Sequence, residues 1–361
     1  MSDNKLLDIV NLTVKYKTKV REITALNKIN LSMKESEIVA IVGESGCGKS
    51  TLGLSIINLL QRPPALIHSG EILFNGVDLL KLKESQLSEL RGTSISMIFQ
   101  DPMSSLDPVY RVGYQISEAI GVRERRGRRS YGPFDATDPN LRKGADGGMN
   151  RVLGAQIPRS RRTFVYSEEA EDALRRVQIS DPDRVLDKYP FELSGGIAQR
   201  VMIAQTLIEK PTLLIADEPT SALDVTTQAQ VLSLMRALRD EIRSSIIFIT
   251  HDLAVAAQVA DRVGVMYAGE IVEIAGVKDI FGKPQHPYTE GLINSFPSRY
   301  KDDEGRLESI PGDVPDLRDP PLACRFNPRC KYAFDRCRIE HPELIQVTTS
   351  DSTACFLRYP G

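Results

Sequence analysis

Apolar residues along the chain follow two periods. Residues 6–15 and 23–33 alternate loosely, with Leu12 and Val14 in the first and Leu26, Ile29, Leu31 and Met33 in the second, as half-exposed strands do. Residues 38–42, 212–217 and 246–250 are instead nearly unbroken apolar runs, the pattern of strands buried on both faces. Residues 70–76 predict a strand ending in the turn-forming pair Asn75-Gly76, and residues 263–270 predict a second hairpin. A further strand is predicted over 95–100, ending in Gln100. Helical spacing runs over 52–60, 111–120, 168–177, 197–209 and 228–242. Buried strands alternating with helices imply an α/β class, with an antiparallel layer ahead of the strand at 38–42. After about residue 270 proline becomes frequent and the periodicity fades, which divides the chain into 1–270 and a C-terminal extension, 271–361.

Between the strand at 38–42 and the next helix lies Gly43-Glu44-Ser45-Gly46-Cys47-Gly48-Lys49-Ser50-Thr51. Strand, glycine-rich loop, Lys-Ser and helix is the context of a P-loop. Its backbone amides turn inward around phosphate oxygens, and the helix N-terminus adds partial positive charge. Gly43, Ser45, Gly46, Cys47 and Gly48 form the cradle, Lys49 reaches the terminal phosphates, and Ser50 and Thr51 open the helix, with the Ser50 hydroxyl available to Mg²⁺. Asp217 ends an apolar strand, where it can hold Mg²⁺ through the water shell, and Glu218 beside it suits a group that orients or activates water. Gln100 and His251 also end strands, so both can converge on the γ-phosphate at one sheet edge. These parts predict a nucleoside triphosphatase. Tyr16 either lies over an adenine ring or simply closes its strand.

Charge and composition narrow the setting. The 361 residues are 41% apolar and 26% charged, and a net charge of −2 gives no global basic field, so nucleic acid is not an expected partner. No apolar run is long enough to span a membrane and the N-terminus has no signal-peptide pattern, so the expected place is the cytosol, with membrane contact only through a partner. Residues 123–163 break the pattern. They hold eleven basic and four acidic residues, about +7, with few large apolar side chains, and read as an insertion that is either a solvated loop or a contact for an anionic surface.

Taken as a set, the motifs resemble the ATP-binding cassette (ABC) ATPases over roughly residues 5–270, which implies a P-loop core of mixed sheet with helices, an antiparallel β subdomain and a helical signature subdomain at about 101–195. The resemblance identifies Gly43–Thr51 as Walker A, Gln100 as the Q-loop glutamine and Leu193-Ser194-Gly195-Gly196 as the signature. It identifies Leu213–Asp217 with Glu218 as Walker B, Ser221–Asp224 as the D-loop and His251 as the switch histidine. It implies ATP and Mg²⁺ as ligands, Gln100 beside Ser50 at the metal, Tyr16 against adenine and Asp224 among the nucleotide-site residues. It also implies a head-to-tail dimer in which Ser194, Gly195 and Gly196 grip the γ-phosphate bound by the other cassette. One departure is Ile197, where many members carry Gln.

A narrower resemblance is to the dipeptide and oligopeptide import subfamily. It rests on Gln100 to Pro108, His286-Pro287-Tyr288-Thr289, Ile310-Pro311-Gly312 and Asn327-Pro328-Arg329-Cys330. It implies a heterodimer with a second ABC ATPase subunit, two transmembrane permease subunits, an extracytoplasmic solute-binding protein, and a peripheral place on the cytoplasmic face of the cell membrane. Similar motifs occur in oligosaccharide importers, so the cargo is a peptide or a sugar, and a soluble non-transport cassette ATPase is the alternative reading. Cys324, Cys330, Cys337 and Cys355 are spaced C-x5-C-x6-C-x17-C; four thiolates suit an Fe–S cluster or a structural zinc, and the short C-x2-C of zinc ribbons is missing. The resemblance implies a [4Fe–4S] cluster. The extension is poor in apolar residues and is expected to be stapled by its metal, at a distance from the P-loop, so that loss of a cysteine leaves ATP binding intact.

Overall fold

The computed structural model describes residues 5–19, 21–127, 167–221, 223–295 and 310–359. Most of the basic insertion, from residue 128 to 163, lies outside these described residues.

The chain opens with an antiparallel pair, β1 (Lys5–Lys17) and β2 (Glu22–Lys34), then enters β3 (Ile38–Val42) and, through the glycine loop, α1 (Lys49–Ile56). A hairpin follows, β4 (Ala65–Phe74) and β5 (Val77–Asp78), then α2 (Glu84–Leu90) and β6 (Ile95–Ile98). Its turn residues Asn75 and Gly76 both have positive φ, 48° and 78°, the backbone of a two-residue hairpin turn. The helical region holds α3 (Pro102–Ser105), α4 (Val112–Gly127), α5 (Glu168–Arg176), α6 (Pro182–Leu186) and α7 (Gly195–Leu207). The chain then returns to the sheet through β7 (Leu213–Asp217), α8 (Val225–Ile242), β8 (Ser245–Thr250), α9 (Leu253–Val259), β9 (Arg262–Tyr267) and β10 (Glu270–Gly276). Beyond it come α10 (Val277–Gly282), α11 (Pro287–Asn294), α12 (Asp335–Ile339), β11 (Ile345–Gln346) and β12 (Ser352–Thr353).

Two sheets result. The smaller has the order β2-β1-β4-β5; the larger has the order β11-β12-β10-β9-β3-β8-β7-β6. Strands β6, β7, β8, β3 and β9 run parallel, with Ile98 beside Ala216, Asp217 beside Ile249 and Val42 beside Thr250, so their carboxyl ends share one edge. Alternate residues of one strand feed opposite cores. Val39 and Ile41 pack with the small sheet, around Leu12, Leu26 and Phe74, while Ile38, Ala40 and Val42 pack with the helices, around Val201, Ile203 and Phe248. That two-sided burial accounts for the unbroken apolar runs.

Three boundaries differ from expectation. The helix after the glycine loop ends at Ile56 rather than near 60, because Asn58 takes a left-handed φ of 53° and Pro63 and Pro64 follow. Strand β4 begins five residues before Gly70, since β1 supplies a long pairing edge in which Tyr16 faces Ala65. The division at 271 falls inside β10, whose Glu273 and Ile274 pair with Thr353 and Ser352. The extension thus adds strands to the large sheet and contributes Phe326 to the helix-side core.

Candidate active site

The loop after β3 has the shape its glycines require. A Cβ on Gly43 would lie 2.1 Å from the Met266 carbonyl oxygen; Gly48 has φ 106° and a Cβ there would lie 2.6 Å from the Ala25 carbonyl oxygen. Gly48 is also the N-cap of α1, so the amides that open the helix face the loop interior. The buried Lys49 reaches back and donates from Nζ to the Gly43 carbonyl at 2.7 Å and the Glu44 carbonyl at 3.1 Å. Those are holding contacts that phosphate oxygens can replace. Cys47 is fully buried, and burial pushes its thiol above the usual range. The hydroxyl of half-buried Tyr16 lies 3.5 Å from Thr51 Oγ1, which puts the end of β1 beside the start of α1.

The neighbouring strand ends carry the acids. Burial raises the pKa of Asp217, against a hydrogen bond from Ser50, and its buried Oδ1 has no hydrogen-bond partner among the described residues. A buried carboxylate oxygen with no donor, beside a serine hydroxyl, fits a water-coordinated Mg²⁺. Glu218 leaves the strand with φ 45°, in the left-handed region. Its amide donates to the Ile249 carbonyl at 2.9 Å, and its Oε2 accepts from Gln100 Nε2 at 3.3 Å and lies 3.2 Å from His251 Nδ1. Gln100, Glu218 and His251, from the ends of β6, β7 and β8, therefore meet, as their strand-end positions predict.

Two candidate groups sit elsewhere on the surface. Ser194 caps α7 without a side-chain hydrogen bond to the helix, and Ser194 and Gly195 are exposed; Gly196 packs toward Thr227. Asp224 caps α8, accepting from the Thr226 and Thr227 amides at 3.0 Å each.

The four cysteines of the extension are free thiols around one very small cavity, of about 10 Å³, lined also by His286 and Phe326. Burial drives the Cys324 thiol to about 12 and Cys355 to about 11. No set of three His, Cys, Asp or Glu side chains among the described residues is close enough to hold a single metal ion. The donor set converges on a cavity without forming a finished mononuclear centre.

The extension does not stand at a distance from the P-loop. Arg329, next to Cys330, forms a two-point ion pair with Glu44 of the loop, and Tyr288 accepts the Glu44 amide at 3.1 Å. Arg325 pairs with Glu270 at 2.9 Å and also donates to the Ala268 carbonyl, while Gly269 donates to the Cys47 carbonyl at 2.9 Å. The expectation of separation fails because the extension's few large apolar residues pack into the cassette core instead of forming one of their own. Arg329 and Tyr288 lie within the Asn-Pro-Arg-Cys and His-Pro-Tyr-Thr motifs, but nothing in those motifs points to the P-loop.

A family described as ABC transporter matches residues 26–221, and one described as oligopeptide/dipeptide transporter, C-terminal region, matches residues 272–337. The chain is 44% identical to a probable peptide ABC transporter ATP-binding protein of Sinorhizobium fredii, across 97% of this chain and 94% of that one. It is 41% identical to a dipeptide transport ATP-binding protein of Escherichia coli, across 98% and 97%. Among solved structures, a dimeric ATP-binding cassette in a post-hydrolysis state with ADP and Pi is similar at 26% identity and a TM-score of 0.57, covering 75% of this chain and 98% of that one. With the P-loop, the acids of β7 and the strand-end Gln100 and His251 in one place, the chain belongs to the ABC transporter family and is an ATPase of it.

Proposed function

We propose that this ATPase powers import of dipeptides or oligopeptides, as one subunit of a complex with a second cassette ATPase, two transmembrane permeases and an extracytoplasmic solute-binding protein. The observation that carries the reading is the joining, in one chain, of a cassette to a C-terminal region of the peptide-transporter type. The named relatives are peptide transporters, which favours peptide over the oligosaccharide and non-transport readings. No helix among the described residues is long and apolar enough to cross a membrane, so in this reading the chain is peripheral, on the cytoplasmic face, and transport is the work of the permeases. A cleft of about 440 Å³ lined by Phe99, Gln115, Glu118 and Ala119 opens on the helical side, the side that meets the permeases in this family.

In this reading the loop amides and Lys49 would bind the β- and γ-phosphates, Tyr16 would meet the adenine, and Ser50, Gln100 and Asp217 would hold Mg²⁺. The metal supplies charge neutralisation on the phosphate oxygens. Glu218 orients the attacking water and accepts its proton, and His251 and Gln100 keep the Glu218 carboxylate aimed at it. Ser194, Gly195 and Asp224, which are exposed, and the half-buried Gly196 would complete the nucleotide site of the second cassette. The four cysteines, which line one cavity, would hold one [4Fe–4S] cluster, the group that the family resemblance implies. Such a cluster fixes the extension.

The test is the intact transporter from native membranes. A peptide-loaded binding protein should stimulate ATP hydrolysis, an oligosaccharide should not, and the complex should hold one copy each of two different ATPases. Stimulation by sugar alone, or two copies of this chain without a second ATPase, rejects the corresponding part.

A further inference from the structure

We propose that Arg329, carried by the cysteine-bearing extension, is a positioning residue for ATP binding, because it pins and neutralises Glu44, the one carboxylate inside the phosphate-binding loop.

The contact is built rather than incidental. Arg329 Nη1 lies 2.8 Å from Glu44 Oε2 and Nη2 lies 3.2 Å from Oε1, the planar fork that suits a carboxylate. The guanidinium is held from other sides too: Nε donates to the Pro311 carbonyl at 2.9 Å, Nη1 reaches the Tyr267 hydroxyl at 3.5 Å, and the Tyr267 ring centroid is 5.8 Å away. The Arg329 side chain is 6% exposed against 29% for Glu44, so the cation is the fixed member and the loop carboxylate is drawn to it.

Glu44 has no polar group left over. Its carboxylate takes Arg329, its amide donates to Tyr288, and its carbonyl accepts from Lys49. When Lys49 turns to phosphate, the Gly43 and Glu44 carbonyls lose that donor, and the contacts from the extension remain to hold this side of the loop. The charge argument points the same way. A loop that receives a polyanion gains nothing from a free carboxylate, and in partly buried protein that repulsion is screened far less than in water. Arg329 cancels it. The inference rests on the ATPase activity of the family and is independent of the cargo.

The test is a titration of the full-length chain with MgATP. Arg329→Met should weaken binding by about tenfold, the scale of one unit charge acting through part-buried protein. Glu44→Gln should tighten it by about threefold, since the guanidinium is then unopposed. The double variant should return to within about threefold of the parent, and Arg329→Lys should retain most of the affinity. In the assembled transporter the Arg329→Met change should appear in KM for ATP rather than in kcat. Normal affinity in Arg329→Met overturns the proposal. So does a double variant as weak as Arg329→Met alone, which would mean that the arginine merely fastens the extension. Where Arg329→Met does not fold, Glu44→Gln decides the matter, because weakened binding in that variant contradicts a neutralising role.

Discussion

Glu218 occupies a backbone conformation that a residue with a side chain adopts only at a cost, φ 45°, and the structure around it says what the cost achieves. The turn swings its carboxylate off the end of β7 to where Gln100 and His251 both reach it. Glu218→Gln preserves the shape and removes the proton acceptor. It should leave ATP binding intact and lower turnover by about 10²-fold or more, measured as phosphate release by the assembled complex. In the proposed mechanism Asp217 plays a different part, helping to hold Mg²⁺, so Asp217→Asn should raise the Mg²⁺ concentration needed for activity and weaken nucleotide binding, as a titration of the variant with MgATP can read.

At the scale of elements, the site was legible where one strand end or one loop carries one function. Apolar runs of five or six residues located β3, β7 and β8, and the residue after each run located the chemistry. What stayed hidden depends on contacts between distant segments, which leave no period. Nothing in a proline-rich stretch marks Arg329 as the partner of a residue 285 positions earlier. The extra strand pair at β10 was hidden for a like reason, since two-residue strands carry no alternation. Glu273 on β10 is another such case. It is fully buried, and its two carboxylate oxygens accept the Gln285 and His286 amides at 2.7 and 2.8 Å. Burial, with Asp351 adding to it and the amides opposing it, raises its pKa to about 7 from an ordinary value of 4.5. Because the folded-state value is the higher one, the contribution to stability is complete below about pH 4.5 and is lost as pH rises through 7. The loss is at most about 3 kcal/mol. Glu273→Gln reproduces the protonated form, so its thermal midpoint should change less than the parent's between pH 5 and pH 8.5, as scanning calorimetry can read.

For the whole molecule, the extension acts as part of the cassette rather than as an appendage. It supplies strands to the large sheet, an aromatic residue to the core and a cation to the P-loop. Damage at the cysteines should therefore travel. Cys330→Ala, beside Arg329, should open the extension to protease and also weaken MgATP binding by several-fold. Unchanged nucleotide affinity alongside a protease-sensitive tail would show the two regions to be energetically separate. Brown colour lost from anaerobically purified Cys330→Ala, but present in the parent, is the companion observation for the cluster.

The pairing of β10 with β12 also has a consequence in time. A ribosome delivers Glu273 first and its neighbour Thr353 eighty residues later, about 4–16 s afterwards at roughly 5–20 residues per second. Throughout that interval β10 offers a bare edge, and for most of it, until Arg329 is made, Glu44 has no arginine. The nascent cassette already owns every catalytic side chain, yet its nucleotide loop is held only after the end of translation draws near. Chains cut short before Arg329 would thus present an open strand edge and a nucleotide loop without its arginine together.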